Sequence, residues 1–470
     1  MKKTAIIYGE AKSEIQKRAI EELTKILLDY TFEYPICAGC CESVDTDSVR
    51  CIYIGTRESN SYIKNVSDNS LSFPESYTIT VKDDTVIIEG FDDAGVLYGV
   101  LDFYNCYVVN YETEKAVRNS NQHWNNIFER ESLPEFNRTS APAVKERGLW
   151  TWGHVIYDYR NYLDNMMKLK MNGVIIWNDF VPANANEIVK YAHSCNIKVY
   201  WGFDWLWDTK NKTFFINDLE KESEKIFKKY EREYANSDGD GIYFQTFTET
   251  KNDSMDGVLI AEAAADFVNK TAALFFEKYP DLELQFGLHA TSVKDKLEFI
   301  RTVDSRIRIV WEDCGAFPFS YEPTDINDFY GTVSFLEEIA TLRGKSDRFS
   351  VVIKGLVQLD WSHFEHLKGS QWIGVSSKTC KKRGIDRMAR EWRYIQAGWI
   401  ANADKAQEML REIAKNKNGD FAAFALVEDG MFEENIMYPV ALYSEMLWDS
   451  EANIKDLMRT VALRSYVNFA

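Results

Sequence analysis

The pattern of apolar and polar positions changes character near residue 144, and the change divides the chain. Before it, within residues 1–110, "TAIIYG" and "RCIYIGT" read as short strands. Between them "SEIQKRAIEELTKILLDY" places Ile15, Ala19, Ile20, Leu23, Ile26 and Leu27 at helical spacing. "YTITVKDDTVIIEGFD" is two alternating β-rich runs joined at Asp83-Asp84, which predicts a hairpin. "DDAGVLYGVLDFYNCYV" opens on an aspartate cap and continues as a helix. From Val109 to Arg147 the chain is polar and irregular ("RNSNQHWNN", "SLPEFNRTSAPA") and reads as a connection and lid region.

After Val144, apolar β-rich runs alternate with amphipathic helices, the signature of βα units and a parallel sheet. The strands are "KERGLWTW", "NGVIIWND", "IKVYWGFDW", "GIYFQTF", "LELQFGLHA", "RIRIVWED", "FSVVIKGLVQLDW" and "FAAFALVEDG". Helical stretches such as "YRNYLDNMMKLKM" and "NANEIVKYAHSC" separate them. Eight units fit a closed (β/α)8 TIM barrel better than an open sheet. The expected fold is therefore α/β: a small N-terminal α/β domain (1–110), a connecting segment (111–143), then the barrel with C-terminal helices (144–470).

Composition narrows the function. The chain has 470 residues, 45% hydrophobic, with a formal net charge of -18. An acidic surface argues against nucleic-acid binding, which needs a basic footprint. No run of about 18 apolar residues exists to cross a membrane. "MKKTAIIYGE" has too short an apolar run for a signal-peptide core, so a cytoplasmic location is expected. "CAGCC" holds a C-x-x-C spacing (Cys37, Cys40), but no second pair of cysteines or nearby histidine pair completes a zinc set. Neither a dinucleotide fingerprint nor a P-loop follows any strand. No metal and no cofactor are expected.

In this barrel the active site lies at the C-terminal ends of the strands. Those ends carry, in order, Trp150, Trp152 and His154; Trp177 and Asp179; Asp204, Trp205 and Trp207; Glu249; His289; Trp311, Glu312 and Asp313; Asp360 and Trp361; Glu428 and Asp429. Side-chain alternation refines the set, because neighbours on a strand point to opposite faces. Gln245 with Glu249, Gln285 with His289, Arg308 with Glu312, and Lys354 with Gln358 and Asp360 each share a parity. Extended to the strand ends, this places Glu249, His289, Glu312 and Asp360 around one axis.

Carboxylates ringed by indoles suit glycosidic bond cleavage. One carboxylic acid protonates the leaving oxygen and a second carboxylate acts as base or nucleophile. Aromatic faces stack on sugar rings. The expected catalytic residues are Glu249 as general acid, with Glu312 or Asp360 opposite. The expected substrate contacts are Trp152, His154, Asp179, Asp204, Trp205, His289, Asp313, Trp361 and Glu428. For Glu312 and Asp360 the alternatives to direct catalysis are substrate hydrogen bonding or an internal salt bridge to Arg308 or Lys354. The expected partner is a carbohydrate substrate, with a homo-oligomer left open. Two other function classes stand beside hydrolysis: an inactive sugar-binding or sensory barrel, and a lyase or isomerase with His289 as base.

"ESYTITVKDDTVIIEGFDDAGVLYGVLDFY" (Glu75 to Tyr104) resembles the small domain that precedes the barrel in family 20 β-hexosaminidases and family 67 α-glucuronidases. "RGLWTW" and "MNGVIIWND" resemble their first two barrel strands. The resemblance implies a glycoside hydrolase. It matches Glu249 to the family 20 acid at the end of strand four, but Thr248 stands where that family has the aspartate supporting the substrate acetamido group. The family 67 pattern instead sets a middle-strand acid against later-strand carboxylates, a role for Glu312 or Asp360.

Overall fold

The computed structural model describes residues 2–9, 13–40, 42, 44–67, 71–111, 126–152, 156–178, 180–206, 218–249, 253–255, 257–289, 292–313, 315–319, 328–357, 369–416, 420–427 and 432–470. At 152, 249, 255, 381, 383–385, 387, 388 and 416 the description is of the backbone alone. The chain divides into two compact units. One is Met1–Pro142 with His193–Asn196 and Ala462–Ser465; the other is Ala143–Ala192 with Ile197–Val461 and Tyr466–Ala470.

The first unit is a six-stranded sheet. Its strands are β1 (Lys3–Tyr8), β2 (Ile36–Gly39), β3 (Val49–Gly55), β4 (Tyr77–Lys82), β5 (Thr85–Gly90) and β6 (Phe136–Ser140), in the order β2-β1-β3-β5-β4-β6. Helix α1 (Glu14–Thr31) starts where Ser13 Oγ accepts a hydrogen bond from Gln16 N at 3.1 Å. It buries Ala19, Leu23 and Leu27 four residues apart, as the periodicity predicts. The β4–β5 hairpin turns at Asp83 and Asp84, both left-handed (φ 48° and 64°), the conformation a two-residue hairpin turn favours. Buried Arg50 holds that turn. It donates to Asp84 Oδ1 at 2.9 Å and to the carbonyls of Phe128 (3.0 Å) and Arg130 (2.9 Å). Strand β6 lies inside the stretch read as an irregular connection. It pairs antiparallel with β4, a pairing its polar sequence, FNRTS, does not announce.

The second unit is a closed barrel of eight parallel strands, joined in sequence order around the ring. They are Glu146–Trp152, Gly173–Trp177, Lys198–Gly202, Gly241–Phe244, Glu283–His289, Arg308–Glu312, Phe349–Leu356 and Phe421–Val427. All eight predicted runs contain one of them. Alternate residues fill the interior, where Trp150, Ile175, Trp177, Tyr200, Tyr243, Val310, Val352, Ala422, Phe424 and Leu426 form one buried cluster. No described helix is long and apolar enough to cross a membrane.

Charges close the N-terminal end of the barrel. Arg308, 2% exposed, opens the sixth strand. Its Nε lies 2.9 Å from Glu283 Oε1, and its Nη2 lies 3.6 Å from Glu146 Oε2 and 3.5 Å from Asp420 Oδ1. Arg348 reaches Glu283 Oε2 at 2.6 Å. Burial opposes ionisation of Glu283, but Arg308 and Arg348 outweigh it and hold the carboxyl down at about 2. Burial dominates at Glu146, whose pKa is raised despite Arg308.

Removing the guanidinium strands these carboxylates. Arg308→Met should lower unfolding free energy by about 3–5 kcal/mol at neutral pH in urea titration. Glu283 has a depressed native pKa, so its contribution is present above the ordinary 4.5 and is lost as pH falls towards about 2. The gap between variant and parent should therefore narrow in acid. A variant as stable as the parent at pH 7 would show that the charge cluster does not hold the barrel end.

Candidate active site

The C-terminal end of the barrel interior begins with an aromatic floor. Trp150, Trp177 and Tyr243, from the first, second and fourth strands, meet with ring centroids 5.4–6.4 Å apart. A buried ion pair is set beside it. Glu312 closes the sixth strand and Lys354 lies on the seventh; Lys354 Nζ is 2.7 Å from Glu312 Oε2, with side-chain exposures of 5% and 0%. Glu312 Oε1 accepts hydrogen bonds from the Tyr243 hydroxyl and the Gln245 amide. Lys354 Nζ also lies 5.4 Å from the centroid of the Trp150 indole, within cation–π range. Between the fourth and sixth strands, the fifth carries Gly287. A Cβ there would clash with the Tyr243 hydroxyl and come within 2.9 Å of Glu312 Oε1. Glycine thus leaves the gap through which strand four reaches strand six.

The environment sets the protonation states. Burial disfavours the Glu312 carboxylate, but Lys354 and His289 together with the Lys354 and Tyr243 hydrogen bonds hold its pKa below the ordinary value. His289, at the end of the fifth strand, is pushed the other way. Burial first, then the Lys354 charge, lower it from 6.5 to about 4, only partly opposed by Glu312. The imidazole is therefore neutral near pH 7. Among the described residues this inner site holds one negative and one positive charge, and no group of His, Cys, Asp and Glu is arranged to bind a metal ion.

Each sequence-predicted residue has a definite standing. The structure brings together Glu312 and His289. Asp313, on the opposite parity as expected, is wholly buried and accepts from Gly315 N (2.8 Å), Lys354 N (2.7 Å) and Phe317 N (3.0 Å). Burial still raises its pKa to about 6. Those bonds tie the loop after strand six to strand seven. Trp205 is also wholly buried, stacked on Phe244 (3.6 Å, 8°) and Phe275 (5.4 Å, 14°) away from the barrel axis. Asp204 Oδ1 accepts from Leu206 N at 3.2 Å, holding the turn after strand three. The backbones of Trp152 and Glu249 are described and their side chains are not. His154, Asp179, Asp360, Trp361 and Glu428 lie outside the described residues.

Two parity extrapolations meet a change of backbone. Strand four ends at Phe244, and Phe247–Glu249 form a 3-10 turn, so period-two alternation does not run from Gln245 to Glu249. Phe247, on that turn, packs on Phe267 of the following helix (5.8 Å). On strand seven the register shifts between Ile353 and Leu356, interrupting the count from Lys354 towards Asp360. Tyr243 was missed as a site residue because it reads as one more apolar strand position. The parity it shares with Gln245 is the signal that marks it.

No family model and no curated protein matches this sequence. Solved structures do share its fold. The β-N-acetylhexosaminidase from Bacteroides fragilis aligns over 100% of this chain and 93% of its own, with a TM-score of 0.57 at 13% identity. The GH20 β-N-acetylhexosaminidase from Streptomyces coelicolor aligns over 100% and 93%, with a TM-score of 0.58 at 9% identity. A GH138 enzyme targeting pectin rhamnogalacturonan II aligns over 97% of this chain, which spans 65% of that one, with a TM-score of 0.54 at 11% identity. The structural neighbours are thus glycoside hydrolases with an eight-stranded barrel and an N-terminal α/β region, and the fold is of glycosidase type.

The His289 environment is directly measurable. Its proton NMR signal, assigned by its loss in His289→Gln, should titrate near pH 4 and not near 6.5. A native pKa below the unfolded one means stability present above 6.5 that is lost as pH falls towards about 4, so His289→Gln should flatten that part of the stability profile. An imidazole that titrates at 6.5 or above would rule out this charge arrangement.

Proposed function

We propose that the protein is a glycoside hydrolase. The observation that carries this is the buried Glu312–Lys354 pair, tied to Tyr243 and Gln245 beside an indole floor, at the barrel end where catalysis occurs in this fold. The glycosidase-type fold of its neighbours supports the same reading.

Glu249 is assigned as general acid. It ends the 3-10 turn that follows strand four, and Gln245, four residues earlier, is fixed to Glu312. Asp360 is assigned as the opposing base or nucleophile. Glu312 has both oxygens engaged and is enclosed, so its role is to hold the inner site and its charge balance. Thr248 precedes Glu249 where family 20 enzymes resembling this chain carry aspartate, which favours two enzyme carboxylates over assistance from a substrate acetamido group. A carboxyl separation of ~6.5–9.5 Å would imply inversion and ~5 Å retention.

N-acetylhexosaminides are the first substrates to test, because two of the neighbours act on them. Glucuronides follow from the family 67 resemblance. Glu249→Gln should lower kcat on an activated aryl glycoside by about 10²–10⁴-fold while sugar binding and thermal stability persist. Full activity in that variant would remove Glu249 from the mechanism. Sugar binding in calorimetry with no turnover of any glycoside by the unmodified protein would favour a sensory or binding role.

A further inference from the structure

The tryptophans of the second unit divide sharply by exposure. Trp150, Trp177, Trp201, Trp205, Trp311, Trp392, Trp399 and Trp448 are all at most 2% exposed. Trp372 is 60% exposed, alone among the tryptophans whose side chains are described. An indole left in water where the other described indoles are buried so completely needs a reason, and its backbone supplies one.

Trp372 lies on a short strap that precedes the helix Lys378–Asn416. The strap is bonded along its length to the loops that follow the first and second barrel strands. Gln371 O accepts from Ala183 N at 2.9 Å. Asn184 clamps Ile373 from both sides: its Oδ1 accepts from Ile373 N at 3.1 Å and its Nδ2 donates to Ile373 O at 2.9 Å. Gly374 N donates to Ile156 O (2.9 Å), Tyr159 N donates to Gly374 O (3.0 Å), and Ser376 N donates to Tyr157 O (2.9 Å). Gly374 is left-handed (φ +65°), and a Cβ there would press on the Tyr159 backbone, 2.6 Å from its N. The close approach therefore requires glycine twice over.

These anchors have a topological address. Ile156 and Tyr157 lie between the first strand and the helix Tyr159–Lys168; Ala183 and Asn184 lie between the second strand and the helix Ala185–Ser194. Both loops belong to the C-terminal face, where the active site of this fold is built. Ile373 turns inward, 4% exposed, and Trp372 beside it turns outward. Ser370 and Gln371, which precede Trp372 in the chain, are exposed as well.

We propose that Trp372 is a stacking platform for an outer sugar ring of an oligosaccharide, a subsite separate from the buried inner site. An exposed indole face, preceded in the chain by exposed hydrogen-bonding residues, suits a pyranose, which has an apolar face and a polar rim. Fixing the strap beforehand lowers the ordering cost of binding. The subsite predicts a substrate longer than one sugar. The proposal rests on the hydrolase reading for its catalytic consequence, but the platform can be tested without turnover.

The test pairs Trp372→Ala and Trp372→Phe with Asn184→Ala, which frees the strap but keeps the indole. The probes are triacetylchitotriose and cellotriose, with the para-nitrophenyl glycosides of their monosaccharides. Trp372→Ala should weaken calorimetric binding of the preferred trisaccharide by about tenfold, Trp372→Phe should restore part of it, and Asn184→Ala should fall between them. Where turnover is measurable, KM for the trisaccharide should rise, with kcat/KM on the aryl monosaccharide unchanged. Trisaccharide binding that is equal in the parent and Trp372→Ala, or absent from the parent, would overturn the subsite. So would equal loss on the aryl monosaccharide and the trisaccharide. An inactive parent whose trisaccharide binding depends on Trp372 would sink the hydrolase reading and leave the subsite standing.

Discussion

A charge inside a closed barrel must have its partner inside too, because water cannot reach it at reasonable cost. This barrel carries charge at both ends of its interior and meets the requirement differently at each. At the N-terminal end, Arg308 sits among Glu146, Glu283 and Asp420, with Arg348 on the far side of Glu283. At the C-terminal end, Glu312 and Lys354 form one pair whose remaining capacity is taken by Tyr243, Gln245 and the Trp150 ring. Between the two lies an apolar layer that includes Val310, Val352 and Phe424. Arg308 and Glu312 are both on the sixth strand, four residues apart and on one parity, so a single five-residue strand supplies a key charge to each end.

The upper pair determines what the site can offer a ligand. Lys354 keeps Glu312 ionised against burial, and burial, helped by Lys354, keeps His289 neutral. A neutral imidazole can donate through one nitrogen and accept through the other, which suits a hydroxyl. With Glu312 and Lys354 cancelling, the described inner groups carry no net charge. The same economy explains Gly287: the hydroxyl of Tyr243 must cross from strand four to strand six, and any side chain on strand five would block it.

Much of this was legible in the sequence where the backbone stays regular. Period-two alternation identified Arg308 with Glu312 and Gln285 with His289, because those residues lie within uninterrupted strands. The N-cap of the helix after β5 (Asp93–Asp102) was legible because Asp92 is a local signal. Legibility ended where strands end. Strand four stops at Phe244 and turns, and strand seven shifts register after Ile353, so counting by twos loses its meaning on the approach to Glu249 and Asp360. Burial was the other blind spot. Trp205 at a strand end has the same letter as a stacking platform, yet it lies between Phe244 and Phe275, while Trp372, on no predicted strand, is the one left exposed among the described indoles. Sequence position marks the face of the barrel, and only packing decides which indole faces water.

These observations separate the tasks of the barrel mouth. The inner groups are fixed by strands and by a buried charge pair, where any displacement leaves an ion without its partner. The turn carrying Glu249 begins from that fixed point: Gln245 bonds through its side chain to Glu312, and its carbonyl accepts from Trp205 N at 2.9 Å. Trp372, by contrast, lies on a strap held by the loops after the first and second strands. Chemistry at the inner site depends on electrostatics that tolerate little change. The strap depends on a few backbone bonds and the Asn184 side chain, which can vary without leaving an ion unpaired. A barrel built this way can vary the strap while the inner pair, and the turn that starts from it, stay in place.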